Sequence, residues 1–181
     1  RHMNKIPVSQ PVLGELETRC VMDALSKGAI SGFFGEYLSK FELEFAEYCE
    51  CEFGVTVNSG TTAIHIGLLA VGIKQGDEVL ASTFTFSATI NPIVYQGAIP
   101  ILVESEKDTW NMCPLQLEIG IKDRIKKGRK PKAIIAVHLY GMPAKMEEIL
   151  QLSKKYDIPV IEDSAEALGS KVNGQKCGTF G

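Results

Sequence analysis

The sequence contains no apolar run near the roughly 18 residues that a membrane-spanning helix requires, and no charged start followed by an apolar block of the kind that directs secretion. No membrane partner is therefore expected, and the cytoplasm is the expected compartment. Excess charge of one sign is also missing. Nineteen Lys and Arg against 22 Asp and Glu leave a net charge of −3, which gives no electrostatic footprint for nucleic acid. The local basic cluster of Lys122, Arg124, Lys126, Lys127, Arg129, Lys130 and Lys132 reads as a solvated helix end and loop. Cysteine is sparse and unpatterned: Cys20, Cys49, Cys51, Cys113 and Cys177 lack paired metal-ligand spacing, so they read as reduced thiols in packing roles and no metal is expected. GxGxxG and the Walker pattern are both absent, which argues against dinucleotide and nucleoside-triphosphate sites. There is no internal repeat, low-complexity tract or linker. Arg1-His2 before Met3 reads as an expression remnant, leaving residues 4–181 as one unit.

What is present is a core-forming chain, 45% hydrophobic and 23% charged, long enough to bury an interior of its own. Apolar residues at helical spacing mark helices over Glu15 to Ser26, Tyr37 to Tyr48, Thr62 to Val71, Ala88 to Tyr95 despite Pro92, Pro114 to Lys126, and Met142 to Tyr156. Short apolar runs between them mark strands at Glu78 to Ala81, Ile99 to Val103, Lys132 to Val137 and Ile158 to Ile161, with a further extended piece at Phe53 to Val57. Strands alternating with helices of this length predict right-handed βαβ units, hence an α/β fold with a mostly parallel sheet.

Three loops then meet at one sheet edge. Asp163 follows a strand that reads as buried on both faces, and ligands of open α/β sheets bind at such carboxyl ends; capping of the next segment by Asp163 or Ser164 is the plainer role. Gly60-Thr61-Thr62 opens a helix, where free N–H groups and the helix dipole suit an anion, although N-capping by Ser59 or Thr61 explains the same residues. Thr83-Phe84-Thr85-Phe86 puts aromatic rings after the first strand. Anion site, aromatic face and carboxylate together suit a flat, phosphorylated heteroaromatic cofactor. Pyridoxal 5'-phosphate needs all three: N–H groups for its phosphate, a ring to stack on, and a carboxylate that keeps its pyridine nitrogen protonated.

In these motifs the sequence resembles the sugar-nucleotide aminotransferases of the DegT type, of the aspartate-aminotransferase fold class. The motifs are Gly60-Thr61 before Ala63, Gly76-Asp77-Glu78-Val79, Thr83 to Phe86, Val137-His138-Leu139-Tyr140-Gly141, and Ile161-Glu162-Asp163 with Ala165. The resemblance implies the three-layer α/β/α large domain of fold type I enzymes. It implies that Gly60, Thr61 and Thr62 contact the cofactor phosphate, that Phe86 stacks on its ring, and that Asp163 pairs with the ring nitrogen. Glu166 takes the place where many members carry Gln or His near the cofactor's phenolic oxygen, so a proton would have to be shared there. His138 reads first as a hydrogen-bonded histidine at a strand end; with Tyr140, and with Phe33 in the aromatic loop Ile30 to Gly35, it is also a candidate substrate contact. His65 reads as packing.

The same resemblance implies transamination of a nucleotide-linked 4-keto-6-deoxy sugar with L-glutamate as donor, and a homodimer. Thr109-Trp110-Asn111-Met112 and Ser164 to Ala167 are most similar to perosamine-synthase-like members, which points to a GDP-linked sugar, with UDP- and dTDP-linked ones open. One departure stands out: the family's Schiff-base lysine falls beyond Gly181, and the small carboxyl-terminal domain is missing, so no catalytic residue is expected within the chain and the chain reads as a fragment. Lys171 and Lys176, beside Asn173-Gly174, read as solvated residues of an exposed hairpin. A non-catalytic regulatory protein and a sugar dehydratase of the same fold are the alternatives.

Overall fold

The computed structural model describes residues 6, 7, 9–31 and 35–181. Helices α1 (Glu15–Ser26), α2 (Tyr37–Cys49) and α3 (Gly60–Ala70) precede a βαβ series: β1 (Glu78–Ser82), α4 (Ser87–Tyr95), β2 (Ile99–Val103), α5 (Pro114–Lys126), β3 (Ala133–Val137), α6 (Met146–Tyr156) and β4 (Val160–Asp163). A short hairpin, β5 (Lys171–Val172) and β6 (Gln175–Lys176), follows. The four long strands form one parallel sheet in the order β2-β1-β3-β4. The chain steps outward from β1 to β2 and then returns to the other side of β1. The strand order therefore reverses between β1 and β3, where ligand crevices form in doubly wound sheets.

The sequence of β1 and β3 explains their central place. All five residues of each are buried, because a parallel strand with neighbours on both edges and helices on both faces has no polar side to alternate with. Leu80, Ile134 and Ala136 point to a cluster with Leu117 and Ile121 of α5 and Met146 and Ile149 of α6. Val79, Ala81, Ala133 and Ile135 point the other way, to Ile64 and Leu68 of α3 and Ile93 of α4. These are the three α/β/α layers expected.

Some expectations need correcting. The last crossover helix begins at Met146 rather than Met142. Met142 precedes Pro143 and is extended (ψ 118°), as the proline ring demands of its neighbour, and the preceding Leu139–Gly141 is a single 3-10 turn. Arg124, read as part of a solvated cluster, instead makes a bidentate pair with Glu78, whose side chain is 2% exposed (2.7 and 2.6 Å). Lys176 is not solvated either: its ammonium lies 3.0 Å from Glu50 and 4.6 Å from the centre of the Tyr48 ring, and it bonds the Tyr48 carbonyl. It ties the hairpin to the end of α2. The hairpin itself turns on Asn173-Gly174, both in left-handed conformation (φ 49° and 86°), as a two-residue type I′ turn requires.

Candidate functional site

The carboxyl ends of β1, β3 and β4 and the first turn of α3 enclose a pocket of about 120 Å³, lined among others by Gly60, Ile64, Phe86, Asp163, Ala165 and Glu166. Asp163 is delivered by β4 and held there, since the His138 N–H donates to its carbonyl at 3.1 Å across the end of the sheet. Its carboxylate is oriented from α4. The Thr89 hydroxyl donates to Oδ2 at 2.7 Å, so the Thr85 hydroxyl, 2.7 Å from that of Thr89, must be the donor to Thr89. The Ala165 N–H completes the set at Oδ1, 3.3 Å. Asp163 thus takes part in the local turn and still lines the pocket.

At α3 the anion-site and capping readings coexist, divided between residues. Ser59 Oγ accepts the Thr62 N–H at 3.2 Å, and the Thr62 hydroxyl donates to Asn58 Oδ1 at 2.7 Å. Both donors of Thr62 are thereby engaged within the loop, against the phosphate contact expected of it. The N–H groups of Gly60 and Thr61 have no partner among the described residues. They are the orphan donors of the first helical turn, and they lie where the dipole favours an anion. Phe86, the N-cap residue of α4, lines the pocket with 74% of its surface exposed.

Glu166 is exposed on the pocket rim, and its Oε2 accepts the Tyr140 N–H at 2.6 Å. That bond is possible because Tyr140 adopts φ 52°, a conformation bulky residues seldom take. Its ring is exposed. His138 is the opposite case. It is fully buried; Nδ1 accepts the Ala144 N–H at 3.0 Å, so Nε2 carries the proton and donates to Glu162 Oε2 at 2.9 Å. Neither ring nitrogen remains for the substrate contact expected of it. Glu162 also accepts the N–H groups of Gly178, Phe180 and Gly181 at 2.8, 2.5 and 2.7 Å. Burial pushes this carboxyl up, but His138 and those three N–H groups outweigh it and hold it below the ordinary carboxylate range. Phe33 lies outside the described residues. No group of three or more metal-ligating side chains occurs among the described residues.

The sequence matches the DegT/DnrJ/EryC1/StrS aminotransferase family over residues 11–181. The chain belongs to that family. It is 46% identical over 179 residues to GDP-perosamine synthase of Escherichia coli O157:H7, covering 99% of this chain and 47% of that protein. Among solved structures, an aminotransferase from Psychrobacter cryohalolentis matches with TM-score 0.86 at 32% identity, covering 94% of this chain and 42% of that one. A GDP-4-keto-6-deoxymannose-3-dehydratase with a trapped pyridoxal phosphate–glutamate adduct matches with TM-score 0.87 at 27% identity, over 98% of this chain and 45% of that one. The chain spans about half the length of the curated relatives it matches.

Pyridoxal 5'-phosphate is the cofactor of this family, and the donor set fits it. Two N–H groups without a partner among the described residues would suit the phosphate's charge, Phe86 offers an open aromatic face, and Asp163 presents a carboxylate held by the Thr89 hydroxyl and the Ala165 N–H. Sequence reasoning missed Thr85 and Thr89, which aim Asp163, and Glu162, which occupies His138. Alternation along β4 could have hinted at Glu162, since neighbouring strand residues face opposite sides. Nothing in the spacing pairs Thr89 with a residue 74 positions away.

Proposed function

We propose that these residues form the amino-terminal part of the large domain of an enzyme that transfers the amino group of L-glutamate to a nucleotide-linked 4-keto-6-deoxy sugar, a GDP-linked one first. The convergence of Gly60, Phe86 and Asp163 on one pocket carries the reading, and the identity to a GDP-perosamine synthase supports the substrate. When bound, the cofactor supplies an electron sink. The protein's share is binding and orientation. The Gly60 and Thr61 N–H groups would hold the phosphate, and Phe86 would cover one ring face. Asp163, fixed by Thr89, would keep a proton on the ring nitrogen, where a carboxylate favours the charged form. Glu166 has one oxygen engaged by Tyr140 and one available for a proton shared with the phenolic oxygen. The covalent lysine and the smaller domain would belong to residues beyond Gly181, and the enzyme would act as a homodimer.

The dehydratase similarity favours a second reading, loss of water from the same kind of sugar. Incubating the holoenzyme with L-glutamate and GDP-4-keto-6-deoxymannose, then weighing the products, separates the two. The expected outcome is 2-oxoglutarate in equal amount to a GDP-linked amino sugar. A dehydrated sugar without net amine transfer supports the second reading, and neither product contradicts both.

A further inference from the structure

Beside the cofactor pocket, and sharing Leu139 with it, lies a wider groove of about 430 Å³ lined by Phe84, Asp108, Thr109, Trp110, Tyr140 and Met142. Its three rings form an edge-to-face set. Phe84 lies 5.9 Å from Trp110 (61°) and 6.5 Å from Tyr140 (71°), yet Trp110 and Tyr140 remain 62% and 76% exposed. Rings that pack for stability alone turn inward; these are presented outward.

Their presentation is imposed by two polar side chains, one half-buried and one buried. Trp110 and Tyr140 both have left-handed backbones (φ 64° and 52°), which persist in bulky residues only where the surroundings fix them. Glu106 does so on one side: its carboxylate accepts the N–H groups of Asp108 and Thr109 at 2.9 and 2.7 Å, and its carbonyl accepts that of Trp110 at 3.2 Å. Asn111, 1% exposed, does so on the other, accepting the Leu139 N–H at 2.9 Å and donating to the Met142 carbonyl at 2.8 Å. The exposed Asp108 carboxylate, paired with Lys145 at 3.1 Å, adds an acceptor next to the rings.

We propose that this groove seats the nucleobase of the nucleotide-linked substrate, stacked on Trp110 and Tyr140. The assignment rests on the nucleotide-sugar reading above. If the keto carbon must reach the cofactor pocket, the base at the far end of the diphosphate needs a second site continuous with the first. Aromatic faces suit any base, and a carboxylate beside them suits the ring N–H edge that guanine, uracil and thymine all carry.

The test is equilibrium binding of GDP to the pyridoxal phosphate-loaded protein by calorimetry, for wild type, W110A and W110F, with Y140A as a second probe should W110A fail to fold. The expected result is at least a tenfold loss of affinity in W110A or Y140A, affinity within about threefold of wild type in W110F, and an unchanged visible spectrum of the cofactor in all. GDP binding that neither W110A nor Y140A weakens overturns the groove assignment while leaving amine transfer standing. Failure of GDP, UDP and dTDP alike to bind the wild type overturns the nucleotide-sugar reading itself, and the groove assignment with it.

Discussion

At the residue scale, the carboxylates of β4 divide the work. Asp163 faces the pocket and Glu162 faces away, into a buried network with His138 and three backbone N–H groups. Because the folded-state pKa of Glu162 lies below its ordinary 4.5, the network contributes fully above that pH and is lost as pH falls through the lower folded value. E162Q is expected to cost about 2–3 kcal/mol at pH 7. It should also lose less stability than wild type when urea melts are repeated below pH 4.5. An unchanged melt at pH 7 would show that the network carries no net stability. The places of Asp163 and Phe86 at the pocket could be read from the sequence because Asp163 closes an apolar strand and Phe86 falls in the loop after another. The Ser59 cap, which accepts the Thr62 N–H, could be read as well, but the engagement of the Thr62 hydroxyl by Asn58 could not, because it depends on side-chain torsions that spacing does not encode.

At the element scale, the Leu139–Gly141 turn joins the two pockets. Its residues supply a wall of each, and its shape is set by Asn111, 28 residues earlier. Removing that side chain leaves a buried N–H and a carbonyl unpartnered, so N111A should cost about 2–3 kcal/mol. Amide exchange at Leu139 and Tyr140 should quicken while that of α5 stays near the global rate. Equal protection of the turn in mutant and wild type would show that Asn111 does not hold it. Helix and strand order were readable here because β3 is a continuous apolar run, β1 is apolar through Val79, Leu80 and Ala81, and α5 and α6 are periodic. The helix read from Met142 starts four residues too early, since Pro143 fits a first-turn position as well as it fits the extended entry that it takes.

At the scale of the whole molecule, the parallel sheet brings loops from four parts of the chain to one edge, and that edge carries every residue assigned to the cofactor. Topology therefore explains why residues as distant as Gly60 and Glu166 line one pocket, and it explains why Lys171 and Lys176 do not. They sit on a hairpin, and Lys176 is occupied by Glu50 and the Tyr48 carbonyl. The most direct measurement is pyridoxal phosphate titration of the 181-residue chain and of D163N, followed by borohydride reduction and intact mass. Saturable binding that D163N weakens at least tenfold, with no stoichiometric adduct on either hairpin lysine, is the predicted result. Binding that D163N leaves untouched, or a single adduct on Lys171 or Lys176, would contradict the assignment of this edge as the cofactor site.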